Sequence, residues 1–97
     1  MKDIERLRLE INEIDEKMAK LFIERMKVVE EIAKYKEKLG IDILDTTREK
    51  EVIERNSKRV EKGIIKRYYI KFLEDNMKLS KEYQREILGK REGKDEK

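Results

Sequence analysis

The sequence predicts an all-α protein: a three-helix chain with a very long first helix, assembling as a helical homodimer. Two observations carry that reading. From Ile4 to Leu39 the apolar residues Ile4, Leu7, Ile11, Ile14, Met18, Leu21, Val28, Ile32, Tyr35 and Leu39 follow one heptad stripe, with neither Pro nor Gly to interrupt it. Charged residues make up 51% of the chain and hydrophobic ones 37%, with opposite charges interleaved, which suits long exposed helices and not a sheet.

Helix 1 is expected over Asp3 to Lys38, about 54 Å at about 1.5 Å per residue. A chain of 97 residues is too small to enclose such a rod, so its apolar stripe needs a partner, and a symmetric dimer is the simplest supply. Gly40 follows Leu39 where a left-handed cap is expected, and Ile41 to Leu44 form a short apolar connection. Helix 2 is expected from Thr46, because Thr46 and Glu49 have the spacing of a capping box, through Val52, Ile53 and Val60, ending before Gly63. Helix 3 is expected from Ile64, with Tyr68, Tyr69, Phe72, Leu73, Met77, Ser80, Tyr83, Gln84, Ile87 and Leu88 facing inward. Residues 1–88 therefore read as one helical domain. Residues 89–97, polar and with nothing to bury, read as a disordered tail.

Composition narrows the chemistry. The 26 basic and 23 acidic residues leave a net charge of only +3, and they alternate instead of forming a patch, so no nucleic-acid partner is expected. No Cys is present, which removes disulfides, thiolate nucleophiles and the usual zinc ligand sets. No His is present either, so an enzyme built here would rely on fixed charge and not on an imidazole proton shuttle. No stretch approaches the roughly 20 apolar residues of a membrane span, and a signal-peptide core is missing. The expectation is a cytoplasmic protein without a membrane partner.

The candidate site begins at Arg25, which occupies a stripe position between Leu21 and Val28 where the repeat asks for an apolar residue. A core accepts a guanidinium there only with an anion or carboxylate against it. Lys36 lies 11 residues further on, about 20° of rotation and roughly 16 Å of rise away, so the two cations share a face and could grip a small anion from opposite ends. Arg8 lies 28 residues before Lys36, about 42 Å along the same rod, and cannot serve that ligand from its own chain. In an antiparallel dimer the partner's Arg8 could. The run Asp45-Thr46-Thr47-Arg48-Glu49 at the mouth of helix 2 combines free backbone N–H groups, a cation and a carboxylate, and Ser80 and Gln84 would complete the site from helix 3. Each residue also has a plainer explanation. Arg25 could be half of a buried ion pair, Lys36, Arg8 and Arg48 solvated surface, Glu49 a capping-box residue, and Ser80 with Gln84 a device that fixes helix register.

Taken together, the pieces Arg8-x-x-Ile11-x-x-x-Asp15, Glu24-Arg25, Lys34-x-Lys36, Asp45-x-x-Arg48-Glu49 and Ser80-x-x-x-Gln84 resemble the all-helical class of chorismate mutase, in order and close to its spacing. The resemblance covers nearly the whole chain to about Leu88. It implies an intertwined homodimer with two sites, each borrowing one arginine across the interface, and the rearrangement of chorismate to prephenate on the way to phenylalanine and tyrosine. That reaction is unimolecular and needs no cofactor, metal or proton transfer. By the resemblance, Arg25 and the partner's Arg8 hold the two carboxylates, and Lys36 and Gln84 donate to the ether oxygen. Arg48, Glu49 and the backbone near Asp45 position the ring and its hydroxyl, Ser80 supports a carboxylate, and Ile32 with Met77 forms the apolar wall. The catalytic set is Lys36, Gln84, Arg25 and Glu49. Placing Asn76 and Ser80 at the two polar positions of helix 3 keeps the same spacing of four; Ser80 and Gln84 are preferred because they give a carboxamide donor. The rival reading from another class is a non-catalytic helical dimerisation module, which leaves Arg25 without a role.

Overall fold

The computed structural model describes residues 3–91 and consists of three α-helices, α1 (Ile4–Leu39), α2 (Thr46–Ser57) and α3 (Gly63–Arg91). The long axis of the molecule is 55 Å, the length of α1 itself, and the other two extents are 29 and 21 Å. Its radius of gyration, 17.2 Å, exceeds the roughly 12.5 Å of a compact domain of this length. The chain is a rod with two shorter helices laid against it, and α3 is the element that packs on both others.

Local signals set the helix ends. Asp3 caps α1, its carboxylate accepting from the Arg6 backbone N–H at 2.9 Å. Gly40 closes the other end at φ 70°, as its place after Leu39 predicts, and the Ile41 N–H returns to the Lys36 carbonyl at 2.8 Å. The capping box expected from Thr46 does not form. Asp45 is the cap of α2, with its carboxylate accepting from the Arg48 N–H at 3.0 Å, so Thr46 is already helical and Glu49 is released from capping. α2 also ends earlier than expected. Its last residue is Ser57, and Val60 lies in the following turn, where its N–H reaches the Ser57 carbonyl at 3.3 Å. Gly63 opens α3 at φ 80°, a conformation that a side chain at this position would resist. α3 runs to Arg91, three residues past Leu88; residues 92–97 of the expected tail lie outside the described residues.

The buried apolar residues are Val29, Ala33 and Leu73. Two of them, one turn apart on α1, sit beside the heptad stripe and not on it, because α3 packs against the Val29–Ala33 face. The stripe itself stays open in a single chain: Leu21 is 62% and Tyr35 65% exposed, and every other member is exposed as well. On α3, Leu73, Ser80 and Gln84 are buried, and Tyr69, Met77, Tyr83, Ile87 and Leu88 are half-buried. Tyr68 and Phe72, expected to face inward, are exposed. Arg67 and Lys71 lie over the Tyr68 ring at 5.9 and 5.6 Å, and Phe72 stacks against Tyr69 at 6.1 Å.

Candidate active site

On α1 the residues Arg25, Val29, Ile32 and Lys36 are spaced four, three and four apart, which places them on one arc of the helix about 60° wide. That arc forms one wall of a cavity of about 270 Å³. Ile43 and the α2 cap Asp45 close it from the connecting loop, Arg48, Glu49 and Val52 from α2, and Met77, Ser80, Lys81 and Gln84 from α3. Of the ten residues singled out in the sequence, nine line this cavity: Arg25, Ile32, Lys36, Asp45, Arg48, Glu49, Met77, Ser80 and Gln84. Arg8 does not. It is 17 residues before Arg25 on the same helix, a rise of about 26 Å, and it is exposed.

The polar side chains are held by groups from other elements. Arg25, exposed at the cavity edge and not sealed into a seam, donates to Ser80 Oγ, and the Ser80 hydroxyl in turn donates to the Asn76 carbonyl at 2.9 Å. A guanidinium carries five N–H donors, so this bond leaves others for a ligand. Lys36 Nζ donates to the Ile43 carbonyl at 3.0 Å. The Gly40 cap turns the chain back at that point, so the helix end that positions Lys36 also delivers its acceptor. Glu49, freed from capping, pairs across to α3 with Lys81 at 3.0 Å, both side chains being 24% exposed. Arg48 lies in the open, 3.8 Å from Glu51.

Gln84 is only 6% exposed, and its Oε1 is a buried oxygen with no hydrogen-bond partner among the described residues. Leaving such an acceptor unpaired costs about 1 to 3 kcal/mol, which marks the carboxamide as a group that a donor would satisfy. Asn76 is not part of the cavity lining; its contribution is the carbonyl that fixes the Ser80 hydroxyl.

Four lining residues went unread as site residues in the sequence: Val29, Ile43, Val52 and Lys81. Spacing marks two of them. Val29 is four after Arg25 and seven before Lys36, and Lys81 is four after Met77 and three before Gln84, the intervals that put side chains on one helix face. Ile43 and Val52 carry no signal beyond being apolar. The lining holds four cations, Arg25, Lys36, Arg48 and Lys81, and two carboxylates, Asp45 and Glu49, an excess of two positive charges. Among the described residues no group of three or more His, Cys, Asp or Glu could hold a metal ion, and no helix is long and apolar enough to cross a membrane.

The three-helix scaffold holds a small cavity with cations at its polar edge and apolar walls at Val29, Ile32, Val52 and Met77, a lining that suits an organic anion. The chain belongs to the chorismate mutase type II family, whose model matches residues 7–85. It is 35% identical over 89 residues to a chorismate mutase of Methanocaldococcus jannaschii, an alignment that covers 87% of this chain and 90% of that relative. No solved structure matches the chain significantly.

Proposed function

We propose that the protein is a cytoplasmic chorismate mutase. It converts chorismate to prephenate in phenylalanine and tyrosine biosynthesis, as a homodimer with two sites that each take Arg8 from the opposite protomer. One observation carries the reading. In a chain of this family, nine residues scattered from Arg25 to Gln84 converge on one cavity whose lining is net positive, which suits a dicarboxylate.

The reaction is a rearrangement within one molecule. An ether C–O bond breaks as a C–C bond forms, and no proton, electron or group leaves the substrate. A protein accelerates such a step by holding the compact reacting conformer and by aiming donors at the oxygen where negative charge grows. Arg25, steadied by Ser80, binds one carboxylate. The partner's Arg8 binds the other. Lys36 and the Gln84 carboxamide donate to the ether oxygen, Glu49 and Arg48 orient the ring and its hydroxyl beside Asp45, and Ile32 and Met77 press on its apolar faces.

The open stripe on α1 supports the dimer. Among the described residues Val29, Ala33 and Leu73 make a small buried apolar core for a folded domain, while the exposed Ile4, Leu7, Ile11, Ile14, Met18 and Leu21 form a row that a second copy would cover. A non-catalytic dimerisation module would use that row and leave the charged cavity without purpose. The deciding experiment is to add purified protein to chorismate and follow its ultraviolet absorbance. Decay well above the uncatalysed rate, with prephenate as product, is expected; decay at the uncatalysed rate would overturn the assignment.

A further inference from the structure

We propose that Lys81 is a positioning residue for the reaction: its ammonium holds the Glu49 carboxylate at the α2–α3 wall of the cavity, so that Glu49 presents its remaining lone pairs to a hydroxyl of the substrate. The inference rests on the mutase reading of the cavity and adds a residue to it.

Three observations support it. The Lys81–Glu49 bridge is 3.0 Å long and only 24% exposed on each side, unlike the 3.8 Å Arg48–Glu51 contact, whose partners are 55% and 61% exposed. Both members line the cavity. Asp45 caps α2, so the Glu49 side chain, in the first turn of that helix, is not spent on capping.

The physical need for Lys81 comes from the other cations. Arg25 and Lys36 share the cavity with Glu49, and an unrestrained carboxylate would swing toward them. It would then neutralise the charges that a dianionic ligand requires. Lys81 supplies a fixed counter-charge from α3, keeps Glu49 on its own wall, and preserves the excess of two positive charges. An ionised carboxylate offers about four lone-pair sites and one ammonium occupies one, so acceptor capacity for a hydroxyl remains.

The test is a double-mutant cycle on kcat/KM with Lys81→Met, which keeps the unbranched stem, Glu49→Gln, and the pair together, alongside Lys81→Arg. Helical signal and dimer mass are checked for each. If Lys81 acts through Glu49, Lys81→Met lowers kcat/KM roughly ten- to a hundredfold in the wild-type background, in line with the cost of a misplaced catalytic group, and by less than about twofold when Glu49→Gln is already present. Lys81→Arg, which keeps the bridge, restores most of the activity. Equal losses in both backgrounds would overturn the proposal and make Lys81 a direct ligand of the substrate anion. No loss in either would also overturn it. A wild-type protein inert toward chorismate would instead bring down the mutase reading, and the role of Lys81 with it.

Discussion

Arg25 and Ser80, 55 residues apart in the chain, are joined by a hydrogen bond from guanidinium to hydroxyl that spans α1 and α3 at the cavity wall. The bond fixes one end of a side chain that would otherwise be a mobile arm at an open edge. Arg25→Ala should therefore lower kcat/KM by about 10², the cost of losing the clamp that positions the substrate through its carboxylate. Ser80→Ala leaves the guanidinium in place but unsteadied, and a smaller loss, on the order of tenfold, is expected. Steady-state assays that returned less than a tenfold loss for Arg25→Ala would remove it from the catalytic set.

Gln84 and Asn76 can be separated in the same way. Gln84→Ala should cost about as much as Arg25→Ala, because the carboxamide lines the cavity, whereas Asn76→Ala keeps the carbonyl that fixes Ser80 and should cost little. The reverse order in kcat/KM would put Asn76 and Ser80 at the two polar positions instead.

The shared site is testable by complementation. Arg8→Ala and Arg25→Ala homodimers should each be nearly inactive, since every site lacks one arginine. In a mixed dimer, one site takes Arg8 from the Arg25→Ala chain and all else from the Arg8→Ala chain, and is whole. The other site carries both defects. With random re-association about half the dimers are mixed, so about a quarter of wild-type activity should return on co-refolding. Exchange demonstrated by mass, with activity still at the level of the separate variants, would show that Arg8 is not donated.

The rate should vary by less than about twofold from pH 6 to 8, since the chain has no His, the side chain that ordinarily titrates there, and the Gln84 carboxamide has no proton to lose. A steep step in kcat/KM inside that window would reassign the charge-bearing work to a carboxylate of the cavity, Glu49 or Asp45.

The helix caps show how far the sequence could be read. Gly40 was legible because a glycine directly after the last stripe residue has few other uses, and the left-handed turn there brings Lys36 to Ile43. Asp45 and Thr46 are both good capping residues and adjacent, so the sequence points to the right turn and not to the right residue. Asp45→Ala should cost about 1 kcal/mol in a thermal melt, and Thr46→Ala well under half of that. A larger loss at Thr46 would reverse the assignment.

The core was harder to read than the cavity. The longest apolar pattern on α1 stays exposed in a single chain, so periodicity marks an open surface and passes over the buried Val29 and Ala33. Charged groups whose position conflicts with their surroundings, such as Arg25, stand out in a sequence. A lysine such as Lys81 does not, because in a chain this rich in charge nothing separates it from its solvated neighbours until α2 and α3 are seen side by side.

The bridges between helices fall largely in the cavity wall: Arg25 to Ser80 joins α1 to α3, Lys36 fastens α1 to the loop, and Glu49 to Lys81 joins α2 to α3. With so few apolar residues sealed inside, the same polar groups that would grip a ligand also hold the scaffold in shape. An occupied cavity would act as mortar between three loosely stacked bricks. The protein with its cavity filled would then be a stiffer object than the protein with it empty.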